Sequence, residues 1–168
     1  MVLFRFFLLI LLIFLTPKNY LYSKNKPEEI GIQYHPQSIL GFTKRLISQK
    51  DYYRGYKELQ RLNSFYPGYI REDIFYASEM FLLFQGKEYA EILQKKTNSD
   101  NCNVQLINII FKTDVYLERS EYRKADLMLN VGGCLDYSHD LKMFIYKRRL
   151  VSNLLLNRID ETRKSLVE

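Results

Sequence analysis

Ser138-His139-Asp140 brings together the three residue types of a hydrolase triad. Three consecutive residues point in different directions, however, and cannot relay a proton from hydroxyl to imidazole to carboxylate, so the tripeptide reads as a turn or helix-capping segment. Cys102, Cys134 and His139 are metal-ligating types, but no CxxC pair or HExxH helix accompanies them and His35 is the only other histidine, so no metal site is expected. Gly132-Gly133 follows an apolar stretch without the lysine or strand of a phosphate loop, and reads as a helix stop in a left-handed conformation. Acidic residues are scattered along the chain as solvated helix faces, with no pair spaced for general acid and base work. No catalytic residue and no cofactor is therefore expected, with an unrecognised helical enzyme as the open alternative.

The elements that carry these residues are helices. A chain of 168 residues suits one domain, its 47% hydrophobic and 26% charged residues exclude a disordered tail, and 7 Gly with 4 Pro give little punctuation for many strands. Helical spacing predicts pairs over 37–49 and 52–66, 71–85 and 88–96, 103–118 and 121–131, and 139–156 and 159–167. Val104 to Leu117 is apolar nearly all round, as an interior helix would be. Phe75, Phe81 and Phe84 recur near helical spacing and read as core, while Lys142, Lys147, Arg148 and Arg149 read as a wet face of the last long helix.

The amino terminus reads as an export signal: one charge at Arg5, the apolar run Phe6 to Leu15, then Thr16-Pro17-Lys18. The run is short for a membrane span, which takes about 17 or more apolar residues. Cleavage after Ser23 is expected, an uncleaved anchor being the alternative. Residues 24–36 form a polar linker and 37–168 the helical domain. Losing 1–23 removes Arg5 and Lys18 and no acid, so the net charge falls from +6 to +4. That is mildly basic and unconcentrated, which with a periplasmic or extracellular address argues against nucleic acid as a partner.

The predicted turns repeat. Lys50-Asp51-Tyr52, Lys87-Glu88-Tyr89 and Ser120-Glu121-Tyr122 each set a polar pair before a tyrosine, and Asn157-Arg158-Ile159 is a weaker fourth. Intervals of 37, 33 and 37 residues separate Tyr52, Tyr89, Tyr122 and Ile159, bracketing the 34-residue period of tetratricopeptide (TPR) repeats. With Gly55, Leu59 and Pro67 after the first turn and Ala125 and Leu129 after the third, the chain resembles the TPR family over about 37–168. Ile92 and Thr162 stand where the second and fourth units would carry a small residue. The segment Tyr52 to Leu93 resembles periplasmic TPR proteins of the outer-membrane-assembly and Tol–Pal-associated type.

This resemblance implies an all-α, TPR-like α-solenoid of about four antiparallel helix hairpins that binds a protein or peptide of the cell envelope. A membrane-tethered structural subunit, associated through its amino-terminal segment, is the alternative. Carried over unit by unit, the family's binding groove falls on Lys44, Phe81, Asp114, and Lys147 with Val151, to which Arg148 is added as a neighbour. Folding the third helix pair at its turn near Glu118 to Glu121 brings Cys102 and Cys134, equidistant from residue 118, to one level. In an oxidising compartment these two are expected to form a disulfide, unlinked thiols being the alternative.

Overall fold

The computed structural model describes residues 35–130 and 139–156. Seven helices and no strand occur among the described residues: α1 (Pro36–Ser48), α2 (Tyr52–Phe65), α3 (Glu72–Gln85), α4 (Tyr89–Gln94), α5 (Cys102–Glu118), α6 (Tyr122–Leu129) and α7 (His139–Leu155). The fold is all-α, and the helix limits lie within a few residues of those expected. The largest departures are α4, which stops at Gln94 where 88–96 was expected, and α6, which stops at Leu129 where 121–131 was expected. The fourth turn at Asn157-Arg158-Ile159 and the helix 159–167 lie outside the described residues, as do the expected signal segment 1–23 and linker residues 24–34.

Local chemistry starts and stops these helices. Pro36 opens α1, where its fixed φ suits a first turn that needs no N–H. The Asp51 side chain accepts from Arg54 N at the start of α2, and that of Asn101 from Asn103 N at the start of α5. Glu72 and Asp73 occupy the first turn of α3, where the helix dipole favours anions. After α2, the residue before Pro67 leaves helical conformation and Tyr69 N donates to Tyr66 O at 3.1 Å. With Pro67 second and Gly68 third at φ 78°, this is the pattern of a type II turn.

The other three turns are alike atom for atom. Lys50, Lys87 and Ser120 have φ of 61°, 60° and 59°, a left-handed conformation usually left to glycine. Their N–H groups reach back three residues, to Ile47, Phe84 and Leu117 O, at 3.0, 3.1 and 3.0 Å. The N–H groups of the next residues, Asp51, Glu88 and Glu121, reach back five, to Leu46, Leu83 and Tyr116 O, at 2.9, 2.9 and 2.8 Å. This is the Schellman termination, which satisfies carbonyls orphaned at a helix end. Burial follows the same register. Seven residues before the left-handed position stand Thr43, Met80 and Thr113, and five after it Gly55, Ile92 and Ala125, all buried. Ile92 thus fills the place that Gly55 and Ala125 hold with small side chains.

Each helix packs on the next in chain order, and α5 also packs on α3 and α7. Contacts between α3 and α5 climb both helices together: Asn101 to Glu72, Asn103 to Asp73, Asn108 to Tyr76 and Phe111 to Phe84. The two helices therefore run in the same direction, and α4 returns the chain between them. The core runs through Ile39, Leu59, Met80, Leu83, Ile107 and Val115, and α5 buries Val104, Leu106, Ile107, Ile110, Phe111, Thr113 and Val115. Apolar residues nearly all round α5 are what this interior place requires.

Candidate functional site

The nominated groove residues have different surroundings. Lys44 on α1 is exposed. Phe81 on α3 is half-buried and packs against the core cluster, as do Phe75 and Phe84. Asp114 on α5 and Arg148 on α7 are brought into direct contact: Arg148 Nε donates to Asp114 Oδ1 at 2.6 Å and Nη2 to Asp114 Oδ2, while Nη1 donates to Phe144 O at 3.1 Å. Both side chains are close to seven-eighths buried. Burial pushes the Asp114 carboxyl above its ordinary value despite the Arg148 hydrogen bonds and charge, and Glu118 adds to the rise. The two charges are spent on each other, so the pair positions α7 against α5.

Lys147 and Val151 remain on the outer side of α7. Lys147 Nζ lies 5.9 Å from the Phe144 ring centre and the Arg148 guanidinium 5.5 Å from it, so one half-buried aromatic supports both cations. Met143, Lys147, Val151 and Leu155 follow one another at four-residue intervals, with Leu154 beside them, and all are exposed. They form a mostly apolar stripe with a cation near its middle. Of the four basic residues read as a wet face, Lys147 fits that description, but Arg148 does not, and Arg149 Nη2 donates to Leu129 O at 3.0 Å. Arg149 Nε, Thr113 Oγ1 and Ser152 Oγ are buried without a hydrogen-bond partner among the described residues, which concentrates unsatisfied polar atoms on α5 and α7.

The reading of acidic residues as solvated faces is corrected at Asp114, paired with Arg148 as above, and at two further places. Asp73 is buried and accepts from Arg71 Nε at 2.6 Å, Arg71 Nη2 at 2.9 Å and Asn103 Nδ2 at 3.3 Å. Glu79 is buried among tyrosines, with Gln60 and Lys95 as partners. A lone acid inside the apolar run Phe75 to Phe84 was the available signal for Glu79, since a charge on such a helix must find a partner or remain in water. Among the described residues no three His, Cys, Asp or Glu side chains gather as a metal ion requires. Ser138 and Cys134 lie outside the described residues, and His139 is the first residue of α7. Cys102 opens α5 and is not a free thiol. Compared with protein families, with curated proteins and with solved structures, the chain matches none.

Proposed function

We propose that this chain is an exported scaffold of TPR-like helix hairpins, stacked as a short α-solenoid, that holds a protein or peptide partner in the cell envelope and performs no catalysis of its own. The observation that carries the reading is the recurrence of one turn. Left-handed residues at 50, 87 and 120, with matching backbone hydrogen bonds and matching burial on either side, are what a repeated helix pair produces. The parallel course of α3 and α5, with α4 between them, agrees with it. Stacked pairs offer an extended surface for a partner, and the exposed stripe Met143, Lys147, Val151 and Leu155 supplies an apolar contact line with a charge.

The test uses the chain from Lys24 onward as bait for an envelope extract, beside amino-terminal sequencing of the protein from its own cells. The proposal expects a mature terminus at Lys24 in the soluble fraction and one discrete partner retained. An unprocessed terminus in the membrane fraction supports the tethered subunit instead, and retention of no partner counts against the scaffold.

A further inference from the structure

Away from the α5–α7 face, an ammonium group is held in a built cage. Lys95 Nζ lies 3.1 Å from Glu79 Oε2, 5.8 Å from the ring centre of Tyr56 on α2 and 5.6 Å from that of Tyr76 on α3. The walls are fixed from behind. Gln60 Nε2 donates to the other Glu79 oxygen at 2.6 Å, and the Tyr76 hydroxyl donates to Asn108 Oδ1 at 3.0 Å. The Glu79 side chain is only 4% exposed, so its charge is tolerable because two partners stand on it. Two aromatic faces and one carboxylate around a cation make the arrangement that recognises an alkylammonium.

The group that fills the cage comes from the connection between α4 and α5. Lys95 is the cap residue that leaves α4, with φ −64° and ψ 115°, and residues 95–101 form no regular structure before α5 begins. Lys96, Asn98 and Asp100 in that stretch are exposed, and the Lys95 side chain itself keeps 22% of its surface in water. The cage therefore opens to solvent along the path of the Lys95 stem, and withdrawing that side chain breaks no helix.

We propose that Tyr56, Tyr76 and Glu79 form an alkylammonium-binding site for a lysine side chain of a partner, which Lys95 occupies as an internal competitor. The site is separate from the α7 stripe and stands whether or not that stripe binds anything. Lys95 is tethered next to the cage at an effective concentration on the order of millimolar or more, so an external ammonium whose intrinsic Kd is about a tenth of that or less binds the native chain at least about tenfold more weakly than a chain without the competitor.

The probe is N,N-dimethylbutylammonium, which has the length of a lysine side chain, keeps one N–H to donate to Glu79 and forms no stable amide, titrated while the Tyr56 and Tyr76 ring signals are followed by NMR. Lys95→Ala should bind it saturably and at least tenfold more tightly than the native chain, and Lys95→Ala with Glu79→Gln should lose tenfold or more of that affinity. In the native chain, saturating probe should raise the acylation rate of Lys95 at least twofold. Folding is checked by circular dichroism, with Lys95→Thr as a milder second variant; an unfolded variant restored by the probe also supports the site. The proposal is overturned if folded Lys95→Ala shows no saturable shift, if Glu79→Gln leaves binding unchanged, if Lys95 acylation does not respond, or if both variants unfold and the probe restores neither.

Discussion

Arg148 and Asp114, 34 residues apart on α7 and α5, face each other as a two-pronged ion pair shielded from water and backed by the Phe144 ring. Removing one partner leaves the other as an uncompensated charge in a poorly solvated place. Arg148→Met should therefore cost about 3–5 kcal/mol of unfolding free energy, whereas Arg148→Met with Asp114→Leu should recover most of the loss. Urea denaturation of the two variants measures this. A single variant within about 0.5 kcal/mol of the native chain would mean that the pair is not formed in solution.

The three recurring turns predict opposite effects of glycine at neighbouring places. Lys50, Lys87 and Ser120 pay for a left-handed conformation, so Lys87→Gly should stabilise by roughly 0.5–1 kcal/mol, the relief of strain exceeding the added freedom of the unfolded chain. Gly55 lies inside α2, and a methyl group there would meet Ile47 Cγ1 at 3.6 Å and Leu82 Cδ2 at 3.8 Å, which is ordinary contact. Gly55→Ala should stabilise by a similar amount, since the helix needs a small residue there but not its absence. Thermal unfolding of each variant decides; a fall in stability for Lys87→Gly would contradict the turn geometry.

What was legible in the sequence is what local chemistry writes. A polar pair before a tyrosine marks where one helix ends and the next begins at three turns, and together with Pro67, the polar stretch 95–101 and the helical spacing of apolar residues it located the described helices to within a few residues. The left-handed residues themselves were hidden, because glycine is their usual sign and lysine or serine stands in its place. Pairings across the fold were hidden for another reason. Asp114 and Arg148 were each nominated, but only packing shows that they neutralise each other. Glu79 on α3 meets Lys95 at the end of α4, the other helix of its own pair, and no spacing within one helix encodes that contact.

Alkaline titration should report the tyrosine interior. Burial, aided by the charges of Glu79, Glu91 and Tyr53, raises Tyr56 from 10.0 to about 12, and burial with Glu79 raises Tyr76 as well. A phenol whose folded value lies above its unfolded one contributes stability that is complete below pH 10 and is lost as pH rises toward 12. Denaturation midpoints should accordingly fall across that interval, and Tyr56→Phe should flatten the fall. An equal slope in the Phe variant would show that Tyr56 titrates normally.

The expected Cys102–Cys134 bond predicts that the protein isolated from its own cells, alkylated without reduction, takes up no label at either cysteine. Reduction should lower stability by about 3–4 kcal/mol if the closed loop acts through the unfolded chain. Two labelled cysteines in unreduced protein would remove the bond.

Photo-crosslinking in intact cells tests the binding reading most directly. A photoreactive residue is placed singly at Lys44, at Val151, and at Leu127, an exposed α6 position not assigned to the groove. The account predicts that Lys44 and Val151 both give adducts with the same envelope protein and that Leu127 gives none. No adduct from either groove position, or equal adducts from Leu127, would contradict a partner held along the nominated groove.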